Sequence, residues 1–111
     1  SSRARLRRER LAQERRLTEA ATELSTVDIA EAVLDDNQTA VLLRLLDLAL
    51  AARTPGAPRA VAAAAHGVRL VLIPAAGYTT VTSKRGTLHI DGFRLQIEPA
   101  GHTSAVTGAP R

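Results

Sequence analysis

The sequence predicts an α+β domain in which three N-terminal helices are followed by a small antiparallel sheet. Up to about Arg53, apolar residues recur at the three- and four-residue spacing of helices. After a break at Thr54-Pro55-Gly56-Ala57-Pro58 the spacing changes to two, which is typical of strands with one buried face. The length of 111 residues suits one domain with a single core.

The first predicted helix runs from Ser1 to about Leu24, a segment without Gly or Pro and rich in helix-forming residues. Its second half has apolar residues at i, i+3, i+4 and i+7, which predicts a core-facing side. These residues are Leu17, Ala20, Ala21 and Leu24. Residues 17–98 are therefore predicted to form the domain.

Residues 1–16 are predicted to be a basic helical lead-in that projects from this domain. Residues 1–24 contain seven Arg and four Glu, whereas residues 25–111 are nearly neutral. Arginines in such a segment can contact DNA phosphates, and the alternative is a solvated linker helix. The candidate phosphate contacts are Arg3, Arg5, Arg7, Arg8 and Arg10. Since the chain opens within a helical pattern and without Met, we expect an N-terminal region to precede it.

Two further helices are predicted, a short one over residues 27–34 and a long one from about Gln38 to Arg53. Asp35 and Gln38 have the spacing of a capping box at the start of the long helix. The long helix is apolar around most of its circumference, which is typical of a helix buried on more than one side. One stripe, predicted to face the core, contains Val41, Leu42, Leu45, Leu48, Ala49 and Ala52. A second stripe, predicted to contact a partner, contains Leu43, Leu46 and Leu50.

The second half of the chain is predicted to form three to five strands. Residues 59–65 are a candidate first strand that ends at His66-Gly67, and residues 68–73 and 78–82 follow. Asp91-Gly92 indicates a hairpin turn. In the last strand Phe93, Leu95 and Ile97 share one side, and Phe93 and Leu95 are further candidates for partner contact. We expect residues 99–111 to be a disordered tail. Three helices followed by hairpins predict a winged-helix-like arrangement.

No motif in the sequence indicates catalysis, so we expect that the chain is not an enzyme. Ser83, His89 and Asp91 could suggest a triad, but no nucleophile elbow surrounds Ser83. The three His residues lack metal-ligand spacing and Cys is absent, so we expect no metal and no cofactor. The absence of Cys, of a signal peptide and of a membrane-spanning stretch predicts a cytoplasmic protein with no membrane contact.

Three kinds of binding function remain open on residue chemistry alone. A winged-helix DNA regulator needs basic or amide side chains on its last helix, which offers only Arg44, with Asp47 beside it. The Leu-rich side of this helix is better suited to contact with a protein, against which leucines can be buried, than to contact with DNA. The alternative to a different protein is a second copy of the chain, which would make this an oligomerisation domain.

Five segments, in this order, resemble a known family. The Arg-rich helix leads into residues 24–29 (LSTVDI), and the others are 42–50 (LLRLLDLAL), 66–74 (HGVRLVLIP), 86–90 (GTLHI) and 91–97 (DGFRLQI). They are similar to the C-terminal end of JetA-type (MksF/EptA-like) kleisins of actinobacterial Wadjet systems, which are SMC complexes that defend bacteria against plasmids. The resemblance covers about residues 3–98. Asp91-Gly92-Phe93 keeps the aromatic position of the family but lacks its Pro.

This resemblance implies a function for the chain. The C-terminal winged-helix domain of a kleisin binds the ATPase head of an SMC-like protein, in a complex that extrudes DNA loops. The implied partners are that head, small winged-helix (KITE-type) subunits and a nuclease subunit, with DNA contacted through the complex. The chain itself would supply neither the ATPase nor the nuclease.

Overall fold

A computed structural model describes residues 1–54 and 60–101, which form two helices and four strands. The predicted α+β class is confirmed, and the prediction of three N-terminal helices is wrong. The predicted tail lies, from residue 102 onward, outside the described residues. The elements are α1 (Ser2–Leu24), β1 (Val33–Leu34), α2 (Asp36–Ala52), β2 (Val61–Ala65), β3 (Val68–Ser83) and β4 (Gly86–Pro99).

The segment that was predicted as the short middle helix is instead a turn followed by β1. Asp28 starts this turn, because its side chain accepts from Ala30 N at 3.0 Å and its carbonyl accepts from Glu31 N at 3.0 Å. Ser25, just before this segment, is the C-cap of α1, where its hydroxyl donates to Thr22 O at 2.7 Å. A segment this short gains little stability from forming a helix alone. Residues 33–34 therefore pair with β3 instead.

A capping box fixes the start of α2. Gln38 N donates to Asp35 Oδ1 at 2.8 Å, and Asp35 N donates to Gln38 Oε1 at 2.9 Å. Two backbone N–H groups that would otherwise lack an intrahelical partner are thereby satisfied. Gln38 also donates to Glu23 Oε1 of α1 at 3.2 Å, so the same residue links the beginning of α2 to the end of α1.

The long strand β3 is the centre of the sheet. β4 runs antiparallel along the whole of one side, from the Ser83–Gly86 pair to the Val68–Pro99 pair. The other side carries β2 at one end and β1 at the other, because residues 68–72 pair with β2 and residues 82–83 with β1. β1 is parallel to β3, so the sheet is mixed rather than purely antiparallel as predicted.

The β3–β4 hairpin is interrupted near its middle. The predicted hairpin turn at Asp91-Gly92 is wrong, because β4 runs through both residues. The register instead shifts between Pro74 and Tyr78, so three residues of β3 stand opposite Gly92, which has φ +85°. This conformation favours glycine, and the irregularity bends the hairpin. The two-residue loop Lys84-Arg85 connects β3 to β4. Because the two strands pair over their full length, this loop lies beside the beginning of α2.

The turn between β2 and β3 is formed by His66 and Gly67, with φ values of 54° and 81°. Two residues with positive φ define the type I′ turn that suits a tight hairpin. His66 Nδ1 lies 2.8 Å from Glu14 Oε1 of α1, so this turn contacts the first helix within the predicted lead-in.

The core lies between the two helices and one face of the sheet. α2 packs mainly on β2 and β3, and α1 packs on α2. Buried core residues include Leu24 of α1, Leu34 of β1, Leu45 of α2, and Leu70 and Leu72 of β3. This arrangement leaves β4 as the strand that α2 covers least. No helix within residues 1–54 and 60–101 is long and apolar enough to cross a membrane.

Candidate protein-binding surface

An apolar groove lies between α2 and the tip of the β3–β4 hairpin. Its volume is about 290 Å³. Leu43, half exposed, and Leu88, 39% exposed, form its two rims. Its walls are Leu34, Leu42, Val81, Thr39, Ser83, Arg85, Gly86 and Thr87. We call this groove, together with the exposed Leu50 two turns further along α2, the leucine surface.

The second stripe of α2 is divided by the fold. Leu43 and Leu50 are 50% and 51% exposed, whereas Leu46 between them is 7% exposed and belongs to the core. The stripe thus contributes two exposed side chains to the leucine surface, and Leu46 contributes to the core instead. Of the predicted core stripe, Val41, Leu42, Leu45 and Ala49 are buried.

The hairpin tip is held against the beginning of α2. Lys84 N donates to Leu34 O at 3.3 Å, which extends the pairing of β1 with β3. Arg85 Nε lies 3.5 Å from Asp36 Oδ1, and both side chains are mostly exposed. The pairing of β1 with β3 and its extension to Lys84 set the distance between the two rims before any partner arrives, so the groove is preformed.

The two predicted partner residues of β4 lie away from the groove. Phe93 and Leu95 are partly buried and pack against the core. Phe93 is contacted by Arg53, whose guanidinium carbon lies 4.9 Å from the ring centroid, and its carbonyl accepts from Thr79 Oγ1 at 2.8 Å. The groove therefore includes Leu43 but neither Phe93 nor Leu95, although all three were predicted as partner contacts.

The first half of α1 carries the exposed arginines. All five predicted phosphate contacts, Arg3, Arg5, Arg7, Arg8 and Arg10, are exposed. Leu6 is half exposed, and with Arg3, Arg7 and Arg10 it borders a shallow hollow on one side of α1. The buried residues of α1 are Ala20, Ala21 and Leu24, all in its second half.

The residues considered for catalysis do not come together. Ser83 pairs with Gly86 and His89 pairs with Thr80, so strand alternation places Ser83 and His89 on opposite faces of the hairpin. Ser83 Oγ instead donates to Gly86 O at 3.2 Å. Within the described part of the chain, no group of three or more His, Cys, Asp or Glu side chains could hold a metal ion.

Two residues of the groove were not predicted from the sequence. Leu34 was assigned to a helix, and Leu88 was given no role. Alternation along β4 could have placed Leu88 and Ile90 on one side. No local pattern, however, indicates that this side meets Leu43, because the contact depends on the length of the hairpin and on the β1–β3 pairing.

Comparisons with known proteins give one match. Neither a curated protein nor a solved structure matches the chain significantly. Residues 1–94 match a family described as "Protein of unknown function (DUF2397)". The match covers most of the chain, including both helices, the leucine surface and β4 as far as Arg94. The chain belongs to the DUF2397 family.

Proposed function

We propose that this chain is the C-terminal domain of a kleisin-type subunit and that it binds the ATPase head of an SMC-like protein through the leucine surface. In this proposal it acts in the cytoplasm and adapts one protein to another. It helps to close a DNA-extruding complex that restricts plasmids. The KITE-type subunits, the nuclease subunit and DNA are further components of that complex.

The observation that supports this proposal most is the exposure of large aliphatic side chains on both rims of a preformed groove. Leu43 and Leu88, on the two rims, are 50% and 39% exposed, and Leu50, two turns further along α2, is 51% exposed. Apolar groups that converge in this way are typical of the buried centre of a protein interface. A leucine-lined groove offers few hydrogen bonds to base edges, which makes the DNA-regulator alternative less suitable.

Charge at the hairpin tip supports a partner segment that combines an apolar anchor with acidic residues. Lys84 and Arg85 lie at one end of the groove, and Arg85 is 83% exposed by its side chain. Its pair with Asp36 is solvated and therefore weak, so a carboxylate of the partner can replace or share it. Such rim charges contribute mainly to association rate and specificity.

The test is the mass of a mixture of this chain with the isolated head of an SMC-like ATPase from the same genome. The salt concentration is ~0.5 M, at which phosphate-driven contacts are weakened. We expect a complex that contains the chain and the head in equal numbers and that the double variant Leu43→Glu/Leu50→Glu abolishes. Both positions are half exposed, so the variant should remain folded, which its far-UV circular dichroism checks.

The matched control is Ala40→Glu/Ala51→Glu. It adds the same two charges to the same helix, at exposed positions on the side that carries Arg44 and Asp47. The control should bind the head as the unmodified chain does. If the head binds the leucine variant normally, the interface lies elsewhere. If the head binds neither the variant nor the unmodified chain, the proposed partner is wrong.

We propose separately that the arginines of α1 contact DNA phosphates when the complex holds DNA. The supporting observation is that all five are exposed on the half of α1 that lacks buried residues. Changing Arg3, Arg7 and Arg10 to Gln should reduce duplex binding uniformly across sequences. It should also flatten the dependence of log affinity on log salt by roughly 0.9 for each phosphate that the variant no longer neutralises. An unchanged slope would assign these residues to a solvated helix.

A further inference from the structure

The outer edge of β4 has no strand partner among the described residues. β4 contains 14 residues, Gly86 to Pro99, and pairs with β3 on one side only. The backbone N–H and C=O groups along such an edge can pair with another strand. A strand of this length is long for an edge, since the usual strand has about 5–6 residues.

The apolar side of β4 is also incompletely covered. α2 packs mainly on β2 and β3, so the apolar residues of β4 are half-buried or exposed. These residues are Leu88, Ile90, Phe93, Leu95 and Ile97. Their residue numbers change from even to odd at Gly92, but the irregularity there keeps all five on the α2 side of the sheet. A strand added at this edge would bring further apolar side chains beside them.

The geometry points to a second copy of this chain as the occupant of that edge. Two β4 strands that overlap over their full length in antiparallel register place the dyad between Gly92 and Phe93. The irregularity at Gly92 of one copy then lies opposite the irregularity of the other. Residues on the α2 side of one strand therefore stand opposite residues on the α2 side of the other strand along the whole overlap. The resulting cross-strand pairs on the α2 side are Leu88 with Ile97 and Ile90 with Leu95, each formed twice.

On the opposite side of the sheet, the same register places opposite charges of the two copies next to each other. Asp91 of each copy stands directly opposite Arg94 of the other, and both side chains are exposed. Opposite charges at directly facing positions stabilise strand pairing, and like charges there destabilise it. The single register with complete overlap thus matches apolar side chains with apolar side chains and an acid with a base. The product is a continuous eight-stranded sheet with both α2 helices on one face.

This dimer does not depend on the proposed function. Its central pairs do not include Leu43 or Leu50, so head binding and self-association can be abolished separately. Leu88 alone belongs to both surfaces, and it is therefore left unchanged in the tests of either.

The experiment is sedimentation equilibrium of the chain from about 1 µM to about 1 mM, which detects dissociation constants of that size. The unmodified chain should approach twice its mass of 11.8 kDa. Asp91→Arg alone and Arg94→Asp alone should each remain monomeric, because each places like charges opposite one another twice. An equimolar mixture of these two variants should form a heterodimer, since every opposed pair is then an acid with a base.

The double variant Asp91→Arg/Arg94→Asp should again form a homodimer, and circular dichroism should show all variants folded. A monomeric unmodified chain at the highest concentration would overturn the inference. So would single variants that dimerise as well as the unmodified chain does. A dimer that is abolished in Leu43→Glu/Leu50→Glu but kept in the charge variants would place the contact on the leucine surface instead.

Discussion

Arg53, the residue that ends α2, lies over the ring of Phe93 in β4, with its guanidinium carbon 4.9 Å from the ring centroid. Arg53 is exposed, whereas Phe93 is partly buried against the core. The contact joins the C-terminal end of the helix to the strand that α2 otherwise covers least. It also lies beside the irregularity of the hairpin, where the sheet bends.

Phe93→Ala should destabilise the fold mainly because the packing around the ring is removed. Because the ring is only partly buried, we expect a cost of about 2 kcal/mol, below the usual range for a fully buried Phe. Arg53→Ala should cost about 0.5 kcal/mol, since the cation–π contact is solvated. Urea unfolding of the two single variants and of the double variant measures this. A coupling energy near zero would show that the stacking contributes nothing to stability.

Leu46 and Leu43 should respond differently to the same change, although both belong to one helical stripe. Leu46→Ala removes a core side chain and should cost about 2–3 kcal/mol. Leu43→Ala removes a half-exposed side chain and should cost less than about 1 kcal/mol. Thermal or urea unfolding of the isolated chain checks this. Equal costs would contradict the division of the stripe by the fold.

Glu98 should matter to stability more than any other acid of the sheet. It is 6% exposed, and it accepts from Arg69 Nε at 3.0 Å and from Gln96 Nε2 at 3.2 Å. Glu98→Gln keeps the volume but removes the charge, so we expect a loss of about 2 kcal/mol.

The matched control for Glu98→Gln is Asp36→Asn, which weakens the exposed pair with Arg85. It should change the free energy of unfolding by less than about 0.5 kcal/mol. Urea unfolding at neutral pH and at two salt concentrations compares the two changes. A Glu98 variant as stable as the control would show that the buried pair offers no net stabilisation over a neutral amide.

Asp35→Ala should destabilise α2 by about 1 kcal/mol, because it removes the acceptor for Gln38 N at the first turn. Asp35→Asn keeps an acceptor oxygen and should cost only a few tenths of a kcal/mol. Hydrogen exchange at the first turn of α2 locates the effect. Loss of protection throughout the helix rather than at its start would instead indicate global unfolding.

Much of the fold could be predicted from local patterns. The spacing of Leu17, Ala20, Ala21 and Leu24 predicted the buried side of α1, and Ala20, Ala21 and Leu24 are buried. The spacing of Asp35 and Gln38 predicted the cap of α2. The weakly patterned run before His66-Gly67 is β2, as predicted. Each of these features depends on residues a few positions apart, so the sequence contains the whole signal.

The candidate surface could be predicted only in part. Leu43 and Leu50 were identified because helical periodicity places them on one stripe, but the same periodicity assigned Leu46 to the partner as well. Only the packing of α2 against the rest of the fold decides which of the three is buried. The groove that Leu43 shares with Leu88 joins residues 45 positions apart, so no local spacing could indicate it.

By itself, the sequence determined the α+β class, the ends of α2, the basic first half of α1 and the alternation of the last strands, because backbone preference and side-chain period are local properties. The tertiary structure alone decided that residues 33–34 pair with β3 instead of forming a helix, since the competing hydrogen bonds come from residues 82 and 83. It also decided that β4 is an open edge whose apolar side α2 leaves half covered. That outcome depends on which strands the helix can cover at once.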